Sequence, residues 1–185
     1  MKRLRWLALC AAALLLTGCY PLFLQPLFKE KDLVTDAALA GVWQKAGSEE
    51  TWTIEGDGGK GYRVTRKEGQ ESERLLVRLG RLGAARFLEM RGEKNPEESQ
   101  SIPGYSFWRV RLEGDALEVL PLKPEYFEGL IQAGQLEMAQ VVRGEFVVFT
   151  GTTAQVRGFL EKRVEDEAMY QEPERYRRMG AAAVR

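Results

Sequence analysis

The sequence predicts a mainly β protein: an antiparallel up-and-down barrel of about eight strands, with one short helix before the last strands and an amphipathic helix near the C-terminus. Three observations lead there. Short runs in which apolar and polar residues alternate with period two succeed one another through the middle of the chain, as half-buried strands do. Turn signals rich in glycine separate them, leaving few segments long enough for a crossover connection. A meander of that kind has two exposed edges, and closing it into a barrel removes both.

The chain opens with Lys2, Arg3 and Arg5, an uncharged apolar run from Trp6 to Leu16, and then Leu16-Thr17-Gly18-Cys19. A charged start, a short apolar middle and small residues before a cut are the layout of a secretory signal. The apolar run of about 11 residues falls short of the roughly 20 that cross a membrane as a helix. The last four residues resemble the bacterial lipobox. That resemblance implies cleavage between Gly18 and Cys19, a diacylglycerol joined to the Cys19 thiol as a thioether, and a further acyl chain on the freed α-amine. Two or three chains anchor stably where one binds only marginally. Residues 1–18 are therefore read as a lipoprotein signal peptide and 19–35 as the lipidated N-terminal segment. Tyr20 rather than Asp follows Cys19, which favours the periplasmic side of the outer membrane in a Gram-negative host.

Tyr20 to Phe28 reads YPLFLQPLF. Pro21 and Pro26 argue against a helix or a central strand, and the apolar character predicts a segment packed on the domain rather than a polar tether. Residues 36–170 are read as the barrel with its C-terminal helix. Asp36 is placed to cap one helical turn through Leu39, with Gly41 ending it. Strands follow at Gly41 to Lys45, at Thr51 to Glu55, at Tyr62 to Thr65, around Leu75 to Leu79 and around Leu88 to Met90. Asn95 to Pro103 is a polar loop. Trp108 to Leu112, then Leu117 to Val119, continue the alternation, with weaker runs at Leu136 to Val142 and Gly144 to Thr150. Pro124 at the head of PEYFEGLIQA predicts a short helix. Thr152 and Gln155 form the capping-box pattern for a second, running to about Tyr170 on the stripe Val156, Phe159, Leu160, Val164. Past Pro173 little remains to bury, so 171–185 are expected to be a disordered tail.

Gly41-Val42-Trp43, a Gly-x-Trp at the start of the first strand after a short helical turn, resembles the lipocalin signature. The runs CYPLFLQPLFKEKDLVTDAALAGVW, TWTIEGDGGKGYRV and TGTTAQVRGFLEKR are similar to a group of small uncharacterised bacterial lipoproteins with a lipocalin-like β-barrel domain. The resemblance implies that Trp43 packs across the closed base of the barrel and that an arginine lies against it, with Arg143 and Arg157 as candidates. The family's Thr-Asp-Tyr loop motif is not present.

The residue inventory excludes common chemistries. Histidine is absent, and the two cysteines are Cys10 in the signal and Cys19 at the cut. The usual zinc sites and the Ser-His and Cys-His nucleophile systems are therefore ruled out, and no metal or cofactor is expected. Lys and Arg number 27, as do Asp and Glu. Their interspersion gives no nucleic-acid footprint. GDGGKG, Gly56 to Gly61, lacks the spacing and following helix of a phosphate-binding loop and is read as a hairpin turn. The carboxylates Glu97-Glu98 and Glu165-Asp166-Glu167 are read as solvated surface. Trp52, Tyr62, Phe107 and Trp108 are the candidate lining of a ligand cavity, although a filled core is the favoured reading. The expected function is that of a membrane-anchored, non-enzymatic structural or protein-interaction module of the bacterial envelope. The alternative is a module carrying a small apolar ligand, a fatty acid or lipid, in the barrel. An open apolar cavity of about 300 Å³ or more would favour the second.

Overall fold

The computed structural model describes residues 20–93, 104–143 and 146–180. Gly18 and Cys19, the Asn95 to Pro103 loop and Glu97-Glu98 lie outside them. The elements in chain order are β1 (Leu22–Phe23), β2 (Gly41–Lys45), β3 (Thr51–Gly56), β4 (Gly61–Glu68), β5 (Glu71–Leu82), β6 (Ala85–Gly92), β7 (Ser106–Glu113), β8 (Ala116–Pro121), α1 (Pro124–Gln132), β9 (Gln140–Arg143), β10 (Phe146–Phe149), α2 (Thr153–Glu161) and β11 (Glu174–Gly180).

Eight of the strands close an antiparallel barrel in the order β11-β2-β3-β4-β5-β6-β7-β8, with β8 pairing β11. From β2 to β8 each strand pairs the next, so the meander read from the sequence is the wall of the barrel. Tight turns hold its register. The β7–β8 hairpin turns on Gly114-Asp115, where Gly114 has φ +57°, the left-handed conformation that a two-residue hairpin places at its first position.

Closure itself departs from expectation. GEFVVFT supplies no barrel strand: β10 pairs β9 and, in parallel, β1, forming a separate three-stranded sheet. The closing strand comes from the tail, read from the sequence as disordered. Its β11 pairs Tyr176 with Leu117 on one side and with Lys45 on the other. Unpaired edges of β2 and β8 recruit this segment through backbone hydrogen bonds that composition does not report. One large inward side chain, Tyr176, is enough to bury.

There are two cores. Inside the barrel lie Trp43, Trp52, Ile54, Val64, Leu79, Leu88, Val110, Leu117, Val119 and Tyr176. Against the outer wall formed by β5, β6, β7 and β8 packs a second layer made of the N-terminal segment, the small sheet, α1 and α2. Its centre is Phe23, with Phe107 at 4.5 Å and Phe149 at 4.7 Å between ring centroids. Phe23, Leu27 and Phe28 are all buried, so YPLFLQPLF is packed on the domain.

Glu89 fastens that segment. It faces outward on β6, is itself buried, accepts hydrogen bonds from the Leu27 and Phe28 amides at 2.6 and 3.1 Å, and pairs with Arg78. Helix α2 carries the expected capping box, the Gln155 amide donating to Thr152 Oγ1 at 3.3 Å and the Thr152 amide to Gln155 Oε1 at 2.9 Å. It ends at Glu161, short of the predicted Tyr170. Asp166 caps a separate 3-10 turn, Glu167–Met169, and backbone bonds from Lys123 to Met169 and from Gln171 to Pro121 draw the chain back toward β8.

Candidate functional site

The two ends of the barrel differ. At the base, Trp43 is fully buried and its indole N–H donates to the Leu39 carbonyl at 2.9 Å. That carbonyl belongs to the 3-10 turn Ala37–Leu39, capped by Asp36 as expected. The arginine against Trp43 is neither candidate. Arg143 lies on β9, outside the barrel, and Arg157 lies over Phe28 and pairs with Asp32. It is Arg178 of β11, with its guanidinium 4.2 Å from the Trp43 ring, within cation–π range. Arg178 also donates to the carbonyls of Ala38 and Ala40 and pairs with Asp115 at 3.0 Å.

Gly41 completes the arrangement. Its φ is +150°, and a Cβ there would strike the Arg178 guanidinium. Glycine and tryptophan of the Gly-x-Trp thus share one cause, the arginine that passes over both. Tyr62, a candidate for lining a cavity, belongs to this end too. Its hydroxyl accepts from the Asp36 amide at 2.7 Å and donates to the Asp36 carbonyl at 3.1 Å.

The mouth is open. A predominantly apolar cavity of about 470 Å³ runs from the barrel interior over the rim of β7 toward α1 and β10. Trp52, Leu75, Met90 and Trp108 line it from the barrel, Tyr20 to Leu22 from the N-terminal segment, and Phe127 and Val147 to Phe149 from α1 and β10, with the charged Arg66, Glu73, Arg91 and Glu128 bordering it. Two of the four candidate aromatics are therefore brought together, with Trp52 and Trp108 at 5.6 Å between ring centroids. Phe107 is excluded because successive side chains of a strand face opposite ways. With Trp108 turned in, Phe107 is turned out onto Phe23. The interior is filled at the base and hollow at the mouth.

Two observations at the mouth were not legible in the sequence. The Trp108 indole N–H, on a residue only 6% exposed, has no hydrogen-bond partner among the described residues, and a buried donor left unpaired is costly. Tyr20 reaches down from the N-terminal segment to lie 5.1 Å from the Trp108 ring. Its phenol is raised above the ordinary value, by burial first and then by the nearby Glu174.

Beside the apolar lining sits a buried polar cluster. Glu50 accepts from the Trp52 indole at 2.8 Å and the Tyr176 hydroxyl at 2.9 Å, and pairs with Arg66 at 3.1 Å. The same Tyr176 hydroxyl lies 2.9 Å from Glu174, so its one proton is shared between the two carboxylates, and Glu174 pairs with Lys45 at 2.9 Å. Burial pushes the Glu50 carboxyl up, but the hydrogen bonds from Arg66, Trp52 and Tyr176 outweigh it and hold it below its ordinary value of 4.5. The folded chain then binds this proton less readily than the unfolded one. The resulting stability is complete above the unfolded pKa and lost as pH falls through the folded one. Melting temperatures are expected to hold between pH 7 and about 5 and to drop below about 4.5. Glu50→Gln, less stable throughout, should show a shallower drop, and an equally steep one would assign the acid transition elsewhere.

The other motifs have structural roles. The GDGGKG loop is a β3–β4 hairpin filled by its own Asp57, whose carboxylate accepts from the Gly59 and Gly61 amides at 2.8 and 3.0 Å. Glu165 pairs with Arg109, and Asp166 accepts from the Tyr126 hydroxyl at 2.7 Å. Among the described residues no group of three acidic, histidine or cysteine side chains is placed to hold a metal.

Fold and site together define a closed eight-stranded antiparallel barrel with a capped base and an apolar mouth, compatible with a lipocalin-like fold. Comparison with protein-family models, with curated proteins and with solved structures finds no match to this chain.

Proposed function

We propose that this chain is an exported bacterial lipoprotein of the lipocalin-like group, anchored through lipid on Cys19, whose barrel mouth binds the acyl chain of a fatty acid or lipid. The cavity carries the reading. Its volume of about 470 Å³ lies within the roughly 300–1,000 Å³ of small-ligand sites, and its lining is mostly apolar, bordered by the charged Arg66, Glu73, Arg91 and Glu128. The role is one of binding, without chemistry on the ligand, and the natural setting is the bilayer that supplies both anchor and ligand, on the periplasmic side of an outer membrane where the host has one. The lipobox resemblance and the Gly41, Trp43 and Arg178 arrangement support the identity.

Two measurements test it. Wild-type chain should incorporate labelled palmitate and Cys19→Ala should not; equal labelling of both removes the anchor. The fluorescent fatty acid cis-parinaric acid, titrated into Cys19→Ala, should show saturable energy transfer from Trp52 and Trp108. Ser106→Trp, added in the cavity lining, should weaken that binding by at least about tenfold. Transfer that never saturates, or that ignores Ser106→Trp, rejects the ligand reading.

A structural or protein-interaction role keeps one observation of its own. Val141 and Val142 are each 52% exposed on β9, the edge of the small sheet, where a partner strand can add. A protein rather than a lipid co-purifying in native mass spectrometry would favour that role.

A further inference from the structure

We infer that the mouth cavity holds one acyl chain of the lipid borne by Cys19 of the same molecule, so that the anchor is the resident ligand of the barrel; this rests on the anchored, lipid-binding reading above. Position is the first argument. Tyr20, Pro21 and Leu22 line the cavity, and the Cα of Cys19 is about 3.8 Å from that of Tyr20 across one peptide bond. A lipid on Cys19 is therefore attached one residue in sequence from the cavity lining.

The segment is also held there. Leu22 pairs with Val148 in β10, Phe23 exchanges backbone hydrogen bonds with Tyr105 at 3.0 and 2.7 Å, and the Leu24 amide donates to Phe149 at 2.9 Å. A flexible tether would let the lipid sample any direction. A strand paired on both sides delivers it to one place.

Size and polarity fix how much enters. A cavity of about 470 Å³ is of the size that takes one small apolar ligand. The lipobox resemblance implies two or three chains, so at least one remains for the bilayer. Each chain is joined through an ester or amide carbonyl close to Cys19. Leu75, Met90 and the ring of Trp108 give the chain below that carbonyl an apolar bed. A free lipid then enters only by displacing the anchor chain, which releases that chain to the bilayer.

The test is intramolecular photocrosslinking in the full chain. Cells are fed a palmitate analogue carrying a diazirine, the membrane-extracted protein is irradiated, and crosslinked peptides are mapped by mass spectrometry. The expected result is a bridge from the lipid on residue 19 to Leu75, Met90 or Trp108 in the same molecule, reduced several-fold in Ser106→Trp. Crosslinks from that lipid confined to bulk lipid or detergent overturn the inference. Crosslinks at Leu75, Met90 or Trp108 to analogue not attached to residue 19 also overturn it, while leaving the ligand-binding function standing. Absence of analogue from residue 19 overturns this inference together with the anchor itself.

Discussion

Glu89→Ala is expected to cost about 3–5 kcal/mol of unfolding free energy, the range for removing one partner of a buried ion pair, and to loosen the N-terminal segment. Glu89 is 1% exposed and serves three donors: the amides of Leu27 and Phe28 and the guanidinium of Arg78. Alanine leaves all three without their acceptor. The amides lie on the stretch that carries Phe23, Leu27 and Phe28 into the outer core, so the loss is structural as well as electrostatic. Denaturant unfolding gives the energy, and amide hydrogen exchange at Leu27 and Phe28 locates it. Glu89→Gln keeps the shape and one acceptor oxygen and should fall between. A cost below about 1 kcal/mol, with unchanged exchange at both amides, would show that apolar packing alone holds the segment. If the segment loosens as expected, the rim of the mouth loses its fixed position too, because Tyr20 to Leu22 continue directly into it.

Trp43→Ala is the second large expected effect, again about 3–5 kcal/mol, or roughly 6–20 °C in melting temperature for a domain of this size. The indole fills the base of the barrel, its N–H is satisfied by Leu39, and its face carries the Arg178 guanidinium. Removing it opens a cavity and strips Arg178 of its ring. Arg178→Gln alone loses the cation–π contact, worth about 0.5–2 kcal/mol, and part of the bonding to Ala38 and Ala40. In the double variant the two costs should sum to more than the measured total, since the pair is in contact. Strict additivity would mean that the ring and the guanidinium do not sense each other. Ligand binding at the mouth is expected to weaken with Trp43→Ala even where the fold survives, because Trp43 is the direct cross-strand partner of the lining residue Trp52.

Much of the fold is legible in local pattern. Alternation over Thr51 to Glu55, Tyr62 to Thr65 and Trp108 to Leu112 specifies strands with an inward face, and the turns between them leave neighbours no choice but to pair. The capping box at Thr152 and the proline at 124 mark the helix starts for reasons confined to one turn of chain. The errors share a different character. VVFT in GEFVVFT is apolar on both faces, as a strand buried on both sides would be, and nothing local says which sheet receives it. ERYRRMG looks too polar for a wall strand, yet the barrel needs only Tyr176 to be buried there, with Arg178 lying over Trp43 at the base. Past the end of helix α2 the chain is held by distant groups, with Arg109 and the Tyr170 hydroxyl donating to the Val164 carbonyl and Pro121 and Lys123 bonding Gln171 and Met169.

For the site, the sequence supplied types and the fold supplied neighbours. Gly41 and Trp43 could be singled out from a tripeptide, and Trp52 and Trp108 from their parity on strands. Phe107 was separable from Trp108 by the same parity, because adjacent strand residues cannot share one face.

By itself the sequence determined the antiparallel meander, the capped helix starts, the absence of histidine and cysteine chemistry from the domain, and the apolar inward face of the wall. Those follow from residue identity and short-range periodicity. Only the tertiary structure decided that the tail closes the barrel, that Arg178 lies on Trp43, that Glu89 fastens the N-terminal segment, and that the mouth stays hollow around an unpaired Trp108. Each of these joins residues far apart in sequence through backbone edges, single ion pairs or leftover volume, and such pairings leave no trace in local pattern.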